Sequence, residues 1–244
     1  MTFAILLSVL AGLLAGPAVD QVAYRGVRRQ PFDLPSCRSC GRPKPLATWW
    51  SGCGACGQPV AGRTVGVSAL TALAVAGATW VVGPAWVLPA YLVFGVATSI
   101  LIVTDLEAKL IPNRVLYPST VLFGALLAGG AAAEGRLADL GRAALGGAGY
   151  FAVLLLVALV ARGGFGLGDV KLAVLLGMAA AFWSWRVLGA AAAFTAILGG
   201  IPAIVLLVTR RASRGTELPY GPAMIVGAWL ALAFGEAAAR WYLG

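Results

Sequence analysis

The sequence predicts an all-α polytopic membrane protein: about eight transmembrane helices with a small cytoplasmic four-cysteine zinc-binding segment. Three observations predict it. Of 244 residues, 60% are hydrophobic and only 11% charged, at a mean hydropathy of +0.90, which is too apolar for a water-soluble domain of this length. Apolar runs able to cross about 30 Å of hydrocarbon recur along the chain. All four cysteines fall within the one long polar stretch.

The first run, residues 2–19, has no basic residue ahead of it and Arg25, Arg28 and Arg29 behind it. That is the charge order of a retained span with its N-terminus outside, not of a cleaved signal peptide. Residues 20–64 form the polar segment, and residues 65–244 form a seven-helix membrane domain. Its runs are 65–82, 84–104, 115–133, 143–161, 170–185, 187–208 and 221–239; the sixth is short, and Gly83-Pro84 alone divides the first two. With this threading only Arg136, Arg142, Arg186 and Arg240 reach one face, and the other 14 of 18 basic residues mark the opposite face as cytoplasmic. Both termini are then external. The net charge of +9 is thereby a topology signal, so lipid is an expected partner and nucleic acid is not.

The polar segment carries C-x2-C-x12-C-x2-C, made by Cys37, Cys40, Cys53 and Cys56. Two turns each offering two thiolates suit one tetrahedral Zn²⁺. Gly41 and Gly57 follow the pairs, where a backbone of positive φ aims N–H groups at sulfur. Two disulfides or a redox pair are the competing readings. A reducing cytoplasm and the lack of a thioredoxin-like βαβ pattern disfavour both. Four cysteines leave no open coordination position, so the zinc is expected to be structural.

The chain has no histidine, which excludes Ser-His-Asp and Cys-His catalysis and histidine-bound metals. Carboxylates and three lysines remain. Asp105 ends the third run in ATSILIVTDLEAKLIPN, and Asp169 opens the sixth in GFGLGDVKLAVLLG. Alone, Asp169 reads as a helix N-cap and Asp105 as a solvated helix end, with Glu107 as a competing acid. Acids at membrane depth are expensive, and two at one level on different helices can share a proton and activate water.

Gly166-Leu167-Gly168-Asp169 matches the G-x-G-D signature of the intramembrane aspartyl proteases. Together with TDLEAKLIPN, the four-cysteine segment, LPYGPA and AGPAVDQVAYR, it makes the chain resemble the prepilin peptidases, or type IV leader peptidases, over nearly its whole length. The resemblance implies that Asp105 and Asp169 are catalytic, with Gly166, Gly168, Glu107, Lys171, Pro112 and Asn113 in support. It implies a bacterial inner-membrane enzyme that cuts the leader from prepilins or pilin-like secretion proteins at the cytoplasmic face, after a glycine and just ahead of an apolar helix. Many members also methylate the new N-terminus with S-adenosylmethionine. This sequence departs from that bifunctional pattern: Asp20 replaces an asparagine, Ser51-Gly52 a Gly-Lys pair, and TVGVS at 64–68 a Tyr-Pro-x-x-Glu run. The aspartate motifs are untouched.

The glycine clusters ALGGAGY and ILGG read as close helix packing, and Pro112, Pro219 and Pro222 as helix breaks beside the cytoplasmic face. A basic leader gains nothing from a basic face, so recognition falls to Glu107, Asp20, Asp33 or Glu217, or to the substrate's apolar helix. Two other classes compete. A proton-coupled transporter would place its acids nearer the midplane, and a membrane anchor with a zinc-binding interaction module would leave the two aspartates without a shared purpose.

Overall fold

The computed structural model describes residues 1–31, 36–37, 39–43, 50, 52–60, 62–160, 166–208 and 219–243, without the side chains of 202–208 and 239–243. Asp33, Ser51, Phe165 and Glu217 lie outside the described residues. Eight helices follow one another: α1 Thr2–Arg28, α2 Gly62–Val82, α3 Leu88–Ala108, α4 Asn113–Ala133, α5 Leu137–Val160, α6 Leu167–Ala181, α7 Trp185–Val208 and α8 Gly221–Leu243. Among the described residues no strand forms beyond one isolated antiparallel bridge, Ser36 with Pro43. Six helices, α1 to α5 and α8, are long and apolar enough to cross a membrane. The expected all-α polytopic fold is therefore present; α6 has only 15 residues.

Most helix bounds shift by a few residues from the hydropathy reading, α3 to Leu88–Ala108 from 84–104 and the start of α5 to Leu137 from 143; two of the shifts bear on the site. α1 continues past residue 19 to Arg28 and stops where Arg29 takes φ 54°. Its polar Asp20 and Arg25 are buried rather than solvated. Pro17 lies inside the helix, as proline can in a membrane span. α6 begins at Leu167 with Gly166 as its N-cap. Asp169 is therefore the third helical residue and not a cap, which removes the bland reading of that carboxylate.

α3 is the centre of the bundle, packed against α1, α2, α4 and α8. Tyr91 stands edge-on to Phe123 with ring centroids 5.6 Å apart, and its hydroxyl donates to the Ala179 carbonyl at 2.7 Å, pinning α3 to α6. α8 touches both α3 and α6 and so brings the two together. α5 and α6 meet at backbone distance: a Cβ on Gly177 would sit 2.7 Å from the Gly146 oxygen. The packing role read for ALGGAGY holds there. At the far end Arg142 donates to the carbonyls of Ala181 at 2.6 Å and Trp183 at 2.9 Å, supplying donors that the last turn of α6 lacks. That contact fixes the short helix carrying Asp169.

Candidate active site

Asp105 lies one turn before the end of α3. The helix stops because Lys109 adopts φ 50° while its N–H donates to the Asp105 carbonyl at 2.8 Å. The Asp105 side chain is buried, and its Oδ2 accepts the Gly221 N–H at 3.1 Å. Gly221 is the first residue of α8, so this N–H is one of the donors that a helix start leaves without an internal partner.

Asp169 is buried in the first turn of α6, and its carboxylate leans back over the N-cap. A Cβ on Gly166 would lie 3.0 Å from the Asp169 Oδ2, so glycine keeps that space open. Ile111 fills the gap between the two helix starts. A Cβ on Gly168 would come within 3.2 Å of the Ile111 Cβ, and one on Gly221 within 3.4 Å of its Cδ1. The two carboxylates flank this one side chain, and the charge of Asp105 acts on Asp169. Tyr220, just ahead of α8, has its phenol pushed above the usual tyrosine value, first by burial and then by the charge of Asp169.

The supporting residues divide. Pro112 is the N-cap of α4 and Asn113 its first residue. Lys171 donates weakly to the Asn113 Oδ1 at 3.4 Å, which links α4 to α6 near the aspartates. Gly166 and Gly168 provide the space described above. Glu107 is turned to another partner: Arg63 grips its carboxylate through Nε and, at 2.7 Å, through a terminal nitrogen. The same guanidinium pairs with buried Asp20, which also accepts the Thr64 hydroxyl at 2.7 Å. Reading Arg63 as topology charge missed this three-helix contact. Gly221 and Ile111 were missed too, although LPYGPA, with a glycine after a proline break, marked the place.

The four cysteine sulfurs lie within 4.8 Å of one another, with Cys37 and Cys56 3.7 Å apart and Cys40 and Cys53 3.8 Å apart. Sulfurs at about 2.3 Å from a tetrahedral zinc stand about 3.8 Å from each other, whereas a disulfide needs about 2.05 Å. The donor set therefore fits a metal. Each half is built alike: the Gly41 N–H donates to the Cys37 carbonyl at 2.9 Å, and the Gly57 N–H to the Cys53 carbonyl at 2.8 Å. Gly41 has φ 71° and Gly57 φ 70°, as their positions after C-x2-C predicted. The N–H groups of Cys40 and Ser39 pull the Cys37 thiol down to about 6, and those of Ala55 and Cys56 lower Cys53, whereas against the Gln58 N–H, burial and the neighbouring sulfurs push Cys56 up to about 12; without a metal the four sulfurs do not all ionise together. Buried Arg25 donates to the Ser36 hydroxyl at 3.2 Å, tying this segment to α1.

Residues 92–208 match the type IV leader peptidase family, a stretch that contains both aspartates. The chain is 30% identical over 236 residues to a prepilin leader peptidase/N-methyltransferase of Aeromonas hydrophila, covering 89% of this chain and 79% of the relative. It is 27% identical over 274 residues to the protein of that name in Pseudomonas aeruginosa, covering 98% and 93% of the two chains. A Bacillus subtilis relative of the same name is 29% identical over 144 residues, 59% of this chain and 55% of the relative. No solved structure matches the chain. With two-thirds of a relative covered at this identity, and both aspartates within the matched domain, the chain belongs to the type IV leader peptidase family.

Proposed function

We propose that the chain is an aspartic endopeptidase of the bacterial inner membrane that removes the leader peptide from type IV prepilins or pilin-like secretion proteins at the cytoplasmic face. The observation that carries this is the convergence of buried Asp105 and Asp169, from the end of α3 and the start of α6, around Ile111. Two carboxyl groups so placed hold one proton between them. The ionised member takes a proton from water as the water oxygen attacks the scissile carbonyl; the protonated member donates to the carbonyl oxygen. Collapse of the tetrahedral adduct returns that proton to the carboxyl pair, the amide nitrogen receives one, and the C–N bond breaks. The pair titrates as a unit, so neither role belongs permanently to one residue. The sidedness rests on the 14 basic residues of the aspartate face, which leaves both termini external.

Zinc on Cys37, Cys40, Cys53 and Cys56 would be structural, stapling a segment too small for a core of its own. The relatives' names include N-methyltransferase, which favours a second activity on the freshly cut N-terminus with S-adenosylmethionine as donor.

One experiment tests both activities: cleavage of a prepilin-like substrate in detergent by the wild type, Asp105→Asn, Asp169→Asn and Glu107→Gln, with S-adenosylmethionine present and the product N-terminus weighed. Both asparagine variants should lose cutting by at least about 10³-fold, and Glu107→Gln by less than about tenfold. Wild-type cutting in either asparagine variant would overturn the peptidase reading. A product one methyl heavier establishes the methyl transfer, and an unmodified one removes it.

A further inference from the structure

An apolar groove of about 330 Å³ lies between α2, α3 and α8, with Leu73, Gly77, Thr98, Ile102, Val226 and Trp229 among its walls. We infer that it seats the apolar helix of the substrate, the stretch that begins just beyond the scissile bond; this rests on the peptidase reading above.

The groove and the Asp105 carboxylate share one face of α3. On α3, Thr98, Ile102 and Asp105 are spaced i, i+4, i+7 and so lie on one stripe. On α8, Val226 and Ala233 line the groove, while Gly221 at the helix start, which bonds Asp105, stands about 140° round the helix from Val226, so α8 relates the two by height along its axis and not by face. At about 1.5 Å per residue, Ile102 is about 4.5 Å and Val226 about 7.5 Å from those two ends. About two extended residues cover that distance. A helix resting in the groove therefore needs to unwind by only about two residues to bring its preceding peptide bond to the aspartates. Val226 also lines a second hollow of about 370 Å³ between α7 and the start of α8, beside Tyr220.

The wall chemistry selects an apolar occupant. The Thr98 hydroxyl donates to the Phe94 carbonyl at 2.8 Å and accepts the Trp229 indole N–H at 3.2 Å. The Ser99 hydroxyl donates to the Gly95 carbonyl at 2.8 Å. The polar atoms are thus engaged within the wall and ask nothing of a ligand. Ala74 and Gly77 line the α2 side, where Gly77 faces the Trp229 ring and Ala74 packs on Gly95 of α3. Leu70 to Val81 spans about 16 Å, or three helical turns. Leu73 and Trp80 are exposed at the mouth, so the groove opens sideways into lipid, from which a membrane-anchored substrate would arrive.

The test uses the full chain in detergent with two substrates: a prepilin-like protein that keeps its apolar helix, and a short peptide that crosses the scissile bond and stops before the helix. Ala233→Trp fills the groove, and Val153→Trp on the exposed face of α5 is the control. The groove variant should raise KM for the helical substrate about tenfold with kcat within about twofold, leave the peptide unaffected, and differ from the control. Because a tryptophan can disturb packing, a photoreactive phenylalanine at exposed Leu73 in an Asp169→Asn chain gives a second reading. It should crosslink the helical substrate where the same probe at Val153 does not. Equal crosslinking at both positions, or lipid adducts alone at Leu73 with unchanged KM in Ala233→Trp, would overturn the docking site while cleavage by the wild type keeps the peptidase reading intact. Absence of wild-type cleavage of both substrates would overturn the two together.

Discussion

The Gly221 N–H donates to the Asp105 carboxylate at 3.1 Å across 116 positions of sequence, joining the start of α8 to the end of α3. The glycine is required by space: a Cβ there would lie 2.8 Å from the Asp105 Oδ2 and 3.2 Å from its Cγ. Alanine at 221 keeps the donor and pushes the acceptor aside. Since a misplacement of about 1 Å can cost about 10²-fold in rate, Gly221→Ala is expected to lower kcat for leader cleavage by about that factor with the helix content unchanged. Single-turnover cleavage measures it. Activity within about twofold of wild type would show that the carboxylate position tolerates the shift and that the contact is not what sets catalysis.

Tyr220 reports on Asp169 from outside the helices. Burial and then the Asp169 charge raise its phenol above the ordinary value of 10.0. A raised phenol binds its proton more tightly in the folded than in the unfolded chain. Its contribution to stability is therefore complete below about pH 10 and is lost as pH rises through the folded value. Asp169 is ionised throughout that window, so its charge is present. In an alkaline absorbance titration, the difference between wild type and Tyr220→Phe should show one phenol with a midpoint above 10. The same difference taken in an Asp169→Asn chain should move to lower pH without reaching 10, because burial remains. An unmoved midpoint would mean that Asp169 does not face this phenol.

The helices and the metal knuckles were legible in the sequence because both rest on local pattern. Long apolar runs set α2 to α5 and α8, and the repeated C-x2-C-G fixed Gly41 and Gly57 in positive φ. Boundaries failed where polar residues proved to be packed. Asp20 and Arg25 suggested an early end to α1 yet are buried, and α6, read from residue 170, starts at Leu167 with Asp169 inside its first turn. The two aspartates could be paired by depth and motif, but their neighbours could not. Gly221 and Arg63 reach their partners over 116 and more than 40 positions, and no periodicity carries such information. A charge counted for topology gives no hint that it also pairs.

The cysteine cluster makes a prediction about removal of the metal. Purified protein should carry one zinc per chain, and Cys53→Ser, which replaces the buried member of the four, should lose it. Without metal the segment between α1 and α2 has little apolar burial to hold it. Limited proteolysis between residues 31 and 60 should then speed up by at least about tenfold, while the helical signal of the membrane domain stays within about 10%. Mass measurement of the non-reduced protein separates the alternative, since two disulfides would remove four hydrogens and leave no zinc.

Arg63 sits in the first turn of α2, the end of a helix where a positive charge is disfavoured, so its two carboxylate partners must hold it there. Asp20 on α1 is buried and Glu107 on α3 is partly exposed, which joins α1, the start of α2 and the end of α3 in one ionic cluster, two residues from Asp105. Removing the guanidinium takes from buried Asp20 the charge that Arg63 supplies. Breaking a fully buried pair costs about 3–5 kcal/mol, and with the Arg63 side chain 23% exposed the expected cost of Arg63→Ala is nearer 2 kcal/mol. Asp20→Asn keeps an acceptor for the Thr64 hydroxyl and leaves Arg63 on Glu107, so it should cost about 1 kcal/mol or less. The double variant should then be more stable than Arg63→Ala alone, because the buried group at position 20 no longer carries the charge that Arg63 balanced. Thermal unfolding in detergent followed by circular dichroism ranks the three. If Arg63 also positions the end of α3, Arg63→Ala lowers kcat with KM little changed, and Arg63→Lys, which restores the charge without the two-sided grip, recovers only part of it. Additive stabilities and an unchanged kcat would reduce the cluster to solvated surface charge and free the Asp105 helix end from any dependence on α1 and α2.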